Sequence, residues 1–207
     1  MFLKTGELKK IMKSSLKRCG LIVGNVNGHY LVCSDSWGAY VAQMYATNKF
    51  KAAIMELIGD LPEQEECWFY TIGAEKEVQR ERVLDVPNPY EDWKQAKDYA
   101  AATPLYLDAW PHEYVVFQKH SNREYCTAKR ALTGAVISAS ELEAMGETMP
   151  GMPSILGNTL YFKNETTIWW VGMESAGSKV REVLFPRLSG VDFFEDDWGG
   201  GVEPLPY

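Results

Sequence analysis

Few residues of this sequence have the types and spacing that metal or enzyme chemistry requires. His112 and His120 flank one predicted strand at an even spacing, which would put both imidazoles on one face, where Glu113 or Cys126 could complete a metal site. Histidines at strand ends are more commonly surface residues. The sequence contains no P-loop, G-x-G-x-x-G, H-E-x-x-H or G-x-S-x-G motif. We therefore predict no catalytic residues, no metal and no cofactor.

The cysteines indicate a reducing environment. Cys19, Cys33, Cys67 and Cys126 lie far apart without a C-x-x-C pair, so we predict buried, reduced thiols rather than a structural zinc site. No window approaches the roughly 18 apolar residues of a membrane span. The start of the chain is amphipathic and lacks a secretory pattern. We expect a cytoplasmic protein without membrane contact.

Charge is distributed unevenly along the chain. The formal net charge is -7, but residues 1–18 carry +5 and the remainder carries -12. On a helix, Lys9, Lys10, Lys13 and Lys17 project within an arc of about 100 degrees opposite an apolar stripe, with Arg18 at the margin. Lysines placed in this way bind a polyanion backbone without reading its sequence, so these five cations are the candidate DNA-binding residues. An ordinary solvated helix face has the same pattern and remains the alternative.

The elements that position this face begin with a helix, three strands, a second helix and further strands. Thr5 is the predicted cap of the first helix and Gly20 its stop, while Asn27-Gly28 predicts a tight hairpin. Trp169-Trp170, in a later strand, must point to opposite faces, one ring in the core and one partly exposed. The predicted helices of the first ninety residues are 5–19 and 48–58, and the strands are 21–26, 29–35, 37–45, 67–73 and 78–86.

After Pro87-Asn88-Pro89 the same order of elements is predicted to recur. We expect an α+β fold of two similar halves, each with two helices packed on antiparallel sheet. The predicted domains are residues 1–90 and a more divergent 91–198, followed by a flexible tail at 199–207. The predicted elements of the second half are helices at 91–102 and 141–145 and strands at 105–110, 114–120, 124–127, 159–164, 166–173 and 179–185.

Residues 2–90 resemble one domain of a DNA sliding clamp, the processivity factor of DNA polymerase. The resemblance lies in the helix ELKKIMKSSLKR, the segment LIVGNVNGHYLVCSDSWGAYVAQM with its Ser34-Asp35 pair, and the helix NKFKAAIMELIGDLP ending at Leu61-Pro62. It implies a trimeric ring of two-domain chains, with helices facing double-stranded DNA and a polymerase or other protein as partner. Lys49, Lys51, Lys94 and Lys97 are additional candidates on the second and third helices, whereas the acidic fourth helix, with Glu141, Glu143 and Glu147, departs from the pattern.

Two functions follow as expectations. The first is a non-enzymatic, sliding-clamp-like protein that contacts the DNA backbone through the basic helix face. The alternative is an acidic, aromatic-rich protein-interaction module, of the immunity type or a phage accessory protein. The alternative is motivated by the -12 balance beyond the first helix and by 7 Trp and 11 Tyr, residue types enriched at binding hot spots.

Overall fold

The chain folds as a mixture of helices and antiparallel sheet. The structure is a computed structural model that describes residues 1–142 and 146–194. The helices are α1 (Thr5–Arg18), α2 (Asn48–Ile58), α3 (Pro89–Gln95) and the short α4 (Phe185–Arg187). The strands are β1 (Leu21–Val26), β2 (His29–Cys33), β3 (Trp37–Ala42), β4 (Glu66–Ile72), β5 (Val78–Arg82), β6 (Asp98–Ala109), β7 (His112–Lys119), β8 (Tyr125–Lys129), β9 (Ser154–Leu156), β10 (Thr159–Lys163) and β11 (Thr167–Gly172).

These strands form one continuous sheet in the order β5-β4-β1-β2-β3-β11-β10-β9-β6-β7-β8. The strands before residue 90 therefore lie together at one end and the later strands at the other. The two sets meet where β3 pairs with β11, with Ala39 opposite Trp169. The division into domains at residue 90 stays a prediction.

Local signals place most elements of the first ninety residues. Asn27 and Gly28 both have positive φ, 52° and 72°, as the predicted two-residue hairpin between β1 and β2 requires. Thr47 caps α2 by accepting a hydrogen bond from the Phe50 N–H at 3.2 Å. The predicted cap of α1 is wrong: Thr5 is its first helical residue, Lys4 occupies the cap position, and the buried Thr5 hydroxyl has no hydrogen-bond partner among the described residues.

Apolar side chains alternate along the central strands and build two cores, one on each face of the sheet. On β1, Leu21 and Val23 belong to the first core, whereas Ile22 and Val26 belong to the second. Helices α1 and α2 cover the first face. As predicted for the Trp pair, Trp169 is fully buried in the first core and the half-buried Trp170 packs on the second.

Helix α3 packs on the face opposite α1 and α2. Its Trp93 joins the second core, and the Lys163 ammonium of β10 lies 4.6 Å from the Trp93 ring centroid. The predicted helix at 91–102 is wrong in its second half, because residues 98–102 belong to β6. Ala100 and Ala101 are buried there, so sheet pairing overrides the helix preference of alanine.

The expected two-helix second half is not confirmed. Residues 180–184 form a π-helical turn that leads into α4, so the strand predicted at 179–185 is wrong. Apolar residues recur there as Val180, Val183 and Leu184, the spacing of a helix rather than of a strand. Of the helix predicted at 141–145, Glu141 ends a 3-10 turn, and residues 143–145 lie outside the described residues, as does the predicted tail. No helix in the described ranges is long and apolar enough to cross a lipid bilayer.

Candidate nucleic-acid interface

Packing fixes the rotation of α1 and so decides which of its side chains face solvent. Leu8, Met12 and Leu16 are buried in the first core. Between them, the Trp37 indole N–H of β3 donates a buried hydrogen bond of 3.0 Å to the Ser15 hydroxyl. A polar anchor inside an apolar stripe resists rotation of the helix, because turning it would leave the indole N–H without a partner. The opposite face of α1, which carries the lysines, therefore points outward.

Helix α2 lies beside α1 on the same face of the sheet. Phe50, Ala53 and Ile54 turn its apolar side into the first core. The Lys9 ammonium forms an ion pair with the Glu56 carboxylate across the two helices. Both partners are substantially exposed to solvent, so the pair aligns the helices more than it stabilises them.

The five predicted DNA-binding residues fall into two groups on this surface. Lys9 and Lys10 have carboxylate partners, Glu56 for Lys9 and Glu7, at 2.8 Å, for Lys10. The hydrogen bond from Lys10 lowers the pKa of Glu7, which therefore stays ionised and offsets part of the local charge. The other three are exposed and make no ion pair or hydrogen bond within the described part of the chain: Lys13, Lys17 and Arg18.

The additional candidates do not all reach this surface. On α2, Lys49 is exposed beside α1, and the half-buried Lys51 lies 5.9 Å from the Tyr30 ring centroid. Lys94 lies on α3, at the other face of the sheet, where it pairs with Glu91 at 2.9 Å. Lys97 is exposed after the end of α3. The third helix therefore adds no cation to the face formed by α1 and α2.

Lys4 was not among the predicted contacts, although it belongs to the same surface. It occupies the cap position of α1, is exposed, and contributes to lowering the pKa of Glu7 after the larger effects of Lys10 and desolvation. Because Lys4 precedes the first helical turn, a helical-wheel analysis of α1 does not include it. The helix begins at Thr5 rather than after it, and this earlier start places Lys4 at the cap, next to the other cations.

The structure does not bring the possible metal ligands together. The His120 ring stacks on Tyr99 with centroids 4.3 Å apart, and Glu113 pairs with Arg130 at 2.7 Å. Burial raises the pKa of the Cys126 thiol to about 11. Within residues 1–142 and 146–194 no group of three or more His, Cys, Asp or Glu side chains is placed to hold a metal ion.

One cysteine differs from its expected environment. Cys33 and Cys67 are buried and Cys126 is half-buried, but Cys19, just after α1, is exposed, so the prediction of a buried thiol is wrong there. The Cys19 sulfur lies 3.2 Å from the Ser34 hydroxyl. Cys19 directly follows the basic end of α1, and the helix ends at Arg18, one residue earlier than predicted.

Comparisons with known proteins give weak structural neighbours. No protein-family model and no curated protein matches the chain. Among solved structures, the DNA polymerase III beta subunit of Thermotoga maritima matches with 11% identity and a TM-score of 0.31 over 87% of this chain. A DNA polymerase III beta sliding clamp of Bartonella birtlesii LL-WM9 matches with 7% identity and a TM-score of 0.24 over 86% of this chain. The chain covers 66% of each of these structures, and its similarity to both is low.

Proposed function

We propose that this protein is a non-enzymatic, sliding-clamp-like protein that contacts the phosphate backbone of double-stranded DNA through the basic face of α1. The observation that carries the proposal is the orientation of that helix. The buried bond between Trp37 and Ser15, together with the apolar stripe, holds the row of cations toward solvent. The proposed contacts are Lys9, Lys10, Lys13, Lys17 and Arg18.

The contacts are expected to differ in strength. Lys13, Lys17 and Arg18 bind phosphate without first giving up a partner in the described structure. Lys9 and Lys10 must exchange a carboxylate for a phosphate, so each gains less. Lys17 and Arg18 also lie in the last turn of α1, where the helix dipole favours cations. Because the remainder of the chain is acidic, only this face is expected to approach DNA.

The proposed assembly is a homo-oligomer, a trimeric ring if the chain is a true clamp, with a polymerase or another protein as partner. This part rests on the sequence resemblance of residues 2–90. The DNA contact does not require the ring, because a single exposed row of cations on one helix is enough to bind phosphates.

Charge reversal tests the DNA contact. We expect Lys13→Glu/Lys17→Glu to lower the affinity for a random-sequence duplex by about a hundredfold at roughly 0.1 M salt, since each lost phosphate contact removes about one decade. Fluorescence anisotropy of a labelled duplex measures the affinity, and circular dichroism checks the fold.

The matched control is Lys97→Glu/Lys179→Glu, which makes the same change in net charge at exposed sites away from α1 and α2. This control should bind within a few-fold of the wild type. Equal losses of affinity in both variants would show that the effect arises from net charge alone. The absence of wild-type binding at low salt would refute the proposal.

A second candidate, the protein-interaction module, is favoured by the tip of the β6–β7 hairpin. Trp110 is 93% exposed there and Tyr106 is 50% exposed, with the Arg130 guanidinium 5.0 Å from the Tyr106 ring centroid. Exposed Trp, Tyr and Arg are the side chains most common in binding hot spots. If the tip is the functional surface, Trp110→Ala removes function and Lys13→Glu/Lys17→Glu leaves it intact. The DNA proposal expects the reverse.

A further inference from the structure

Residues Leu188–Phe194 lie across the side chains of β7 and β8 and are called the strap below. No strand pairing joins the strap to the sheet. Side chains of the sheet hold the strap backbone instead. The Tyr125 hydroxyl of β8 lies 2.9 Å from the Leu188 carbonyl oxygen and 3.0 Å from that of Val191. The strap is therefore a peptide segment seated in a groove that other residues form.

Gln118 of β7 is the central residue of that groove. It is only 1% exposed, and its amide makes two hydrogen bonds to the strap backbone. The amide nitrogen donates to the Val191 carbonyl at 2.7 Å, and the amide oxygen accepts from the Phe193 N–H at 2.7 Å. A neighbouring strand would offer the same donor and acceptor to an extended chain. Gln118 therefore binds the strap backbone on both sides of Asp192, between the turns at 188–190 and 193–194, whatever the side chains are.

Side chains around Gln118 add selectivity for an acidic residue followed by aromatic ones. Arg123 pairs with the Asp192 carboxylate at 3.0 Å, and its guanidinium lies 4.7 Å from the Phe194 ring centroid. The Phe194 ring meets His120 and Tyr99 edge to face, at centroid distances of 5.3 and 5.7 Å. One arginine thus contacts both an acid and the second aromatic ring.

The Phe193 ring meets Tyr125 edge to face at 6.2 Å. The groove accordingly fits the order hydrophobic, acidic, aromatic, aromatic that Val191–Phe194 display. Each of these contacts depends on residue type and on the backbone shape of Val191–Phe194, which turns at Phe193, so a segment of another protein with the same order and the same turn can make all of them.

The strap lies at the surface and takes no part in the strand pairing of the sheet. All four residues of Val191–Phe194 remain partly exposed, and the Arg123–Asp192 pair is open to solvent on both sides. Surface segments without ladder hydrogen bonds open without unfolding the whole domain. A vacated groove would leave the Gln118 amide oxygen without the Phe193 N–H, whereas the amide nitrogen keeps the Tyr125 hydroxyl at 3.2 Å, and this loss favours refilling by a similar peptide.

We propose that the groove formed by Gln118, Arg123 and Tyr125 is a peptide-docking site that the strap occupies in cis, and that its partner is a second protein with an acidic-aromatic-aromatic segment of the same backbone shape. Binding of that partner displaces the strap. The site is independent of the basic face of α1 and does not rest on DNA binding.

A labelled peptide tests this site on the full chain. The probe is fluorescein-labelled LSGVDFF, the sequence of the strap, and the host variant is Asp192→Ala/Phe194→Ala, which weakens the cis segment. We expect the variant to bind the probe at least tenfold more tightly than the wild type, because the competing strap is impaired. The control peptide LSGVAFA should bind at least tenfold more weakly than LSGVDFF.

A groove variant completes the test. Arg123→Asn added to the same host should abolish the gain, and Asn tolerates the left-handed backbone of this position, where φ is 59°. Equal binding of the probe to wild type and host, or equal binding of both peptides, would overturn the proposal. Strap exchange between two copies would instead produce wild-type dimers in light scattering without probe binding, and would also overturn it.

Hydrogen exchange of the wild type provides a readout that needs no substitution. The Phe193 N–H, bonded to Gln118, should exchange at least a hundredfold faster than the Trp169 N–H at the centre of the sheet. Equal rates would show that the strap opens only with global unfolding, and the docking proposal would then be wrong.

Discussion

At the scale of single residues, burial determines which thiols react. Burial raises the pKa of Cys33 to about 12, with a smaller contribution from Cys67, and burial raises the pKa of Cys67 to about 11. Both thiols therefore stay protonated at pH 8, and protonated thiols are poor nucleophiles. Cys19 is exposed at the end of α1. In the folded protein, reactivity toward thiol reagents should thus be concentrated at Cys19.

We expect a thiol reagent at pH 8 to modify Cys19 first in the folded protein, with Cys33 and Cys67 modified only after unfolding. Peptide mapping by mass spectrometry measures the order, and Cys19→Ser is the control that removes the fast phase. Modification of Cys33 at the rate of Cys19 would contradict the burial shown by the structure.

The same pKa shift sets a direction for stability at high pH. The folded pKa of Cys33 lies above its usual value of 9.0, so between pH 9 and 12 the unfolded chain loses a proton that the folded chain keeps. The stability contributed by the neutral thiol is complete below pH 9 and falls as pH rises through this range. Urea titrations should show a steeper loss of unfolding free energy between pH 9 and 11 for the wild type than for Cys33→Ala.

At the scale of elements, the sequence predicted the features that depend on interactions between neighbouring residues. The Asn27-Gly28 hairpin is a short-range feature and is confirmed. The boundary between α3 and β6 depends on pairing with β7 and β9, which sequence spacing does not reveal. Likewise, the apolar stripe of α1 is visible in the sequence, but the Trp37–Ser15 bond that orients it is a tertiary contact. The candidate face was therefore predictable, and the ion pairs that divide its lysines were not.

Two glycines in different elements should respond oppositely to alanine. Gly6 lies in α1, and the methyl group of an alanine there would have open space around it, so Gly6→Ala should raise the unfolding free energy by about 0.5–1 kcal/mol. At Gly38 in β3, a Cβ would lie 2.0 Å from the Trp170 ring. Gly38→Ala should lower the unfolding free energy by about 1–3 kcal/mol through overpacking. Urea unfolding measures both free energies. A Gly38→Ala protein as stable as the wild type would contradict the close contact of the Trp170 ring.

At the scale of the whole molecule, positive charge is concentrated on one pair of helices, whereas the rest of the chain is acidic. The helix pair α1 and α2, with Lys4, carries eight Lys or Arg residues against Glu7 and Glu56, while the chain has a net charge of -7. Under the proposed function, an acidic body limits contact with DNA to the one basic face. The continuous sheet gives that face a rigid support, because both helices pack on the same core.

The proposed ring is a prediction at this scale. Sedimentation equilibrium should give three times the chain mass of 23.4 kDa if the protein assembles as a trimer. The strand β5 at one end of the sheet order is exposed along its whole length, so an edge is open for pairing. A monomer at every concentration would contradict the ring and leave the DNA contact to be judged by binding alone.

The salt dependence of duplex binding tests the central claim most directly. Each phosphate contact contributes about 0.9 to the slope of log K against log salt. Replacing Lys13 and Lys17 by Ala should therefore reduce the magnitude of that slope by about 1.8, whereas Lys97→Ala/Lys179→Ala should leave it unchanged. If Lys13→Ala/Lys17→Ala gives the same slope as the wild type, the basic face of α1 does not bind the DNA backbone and the proposed function is wrong.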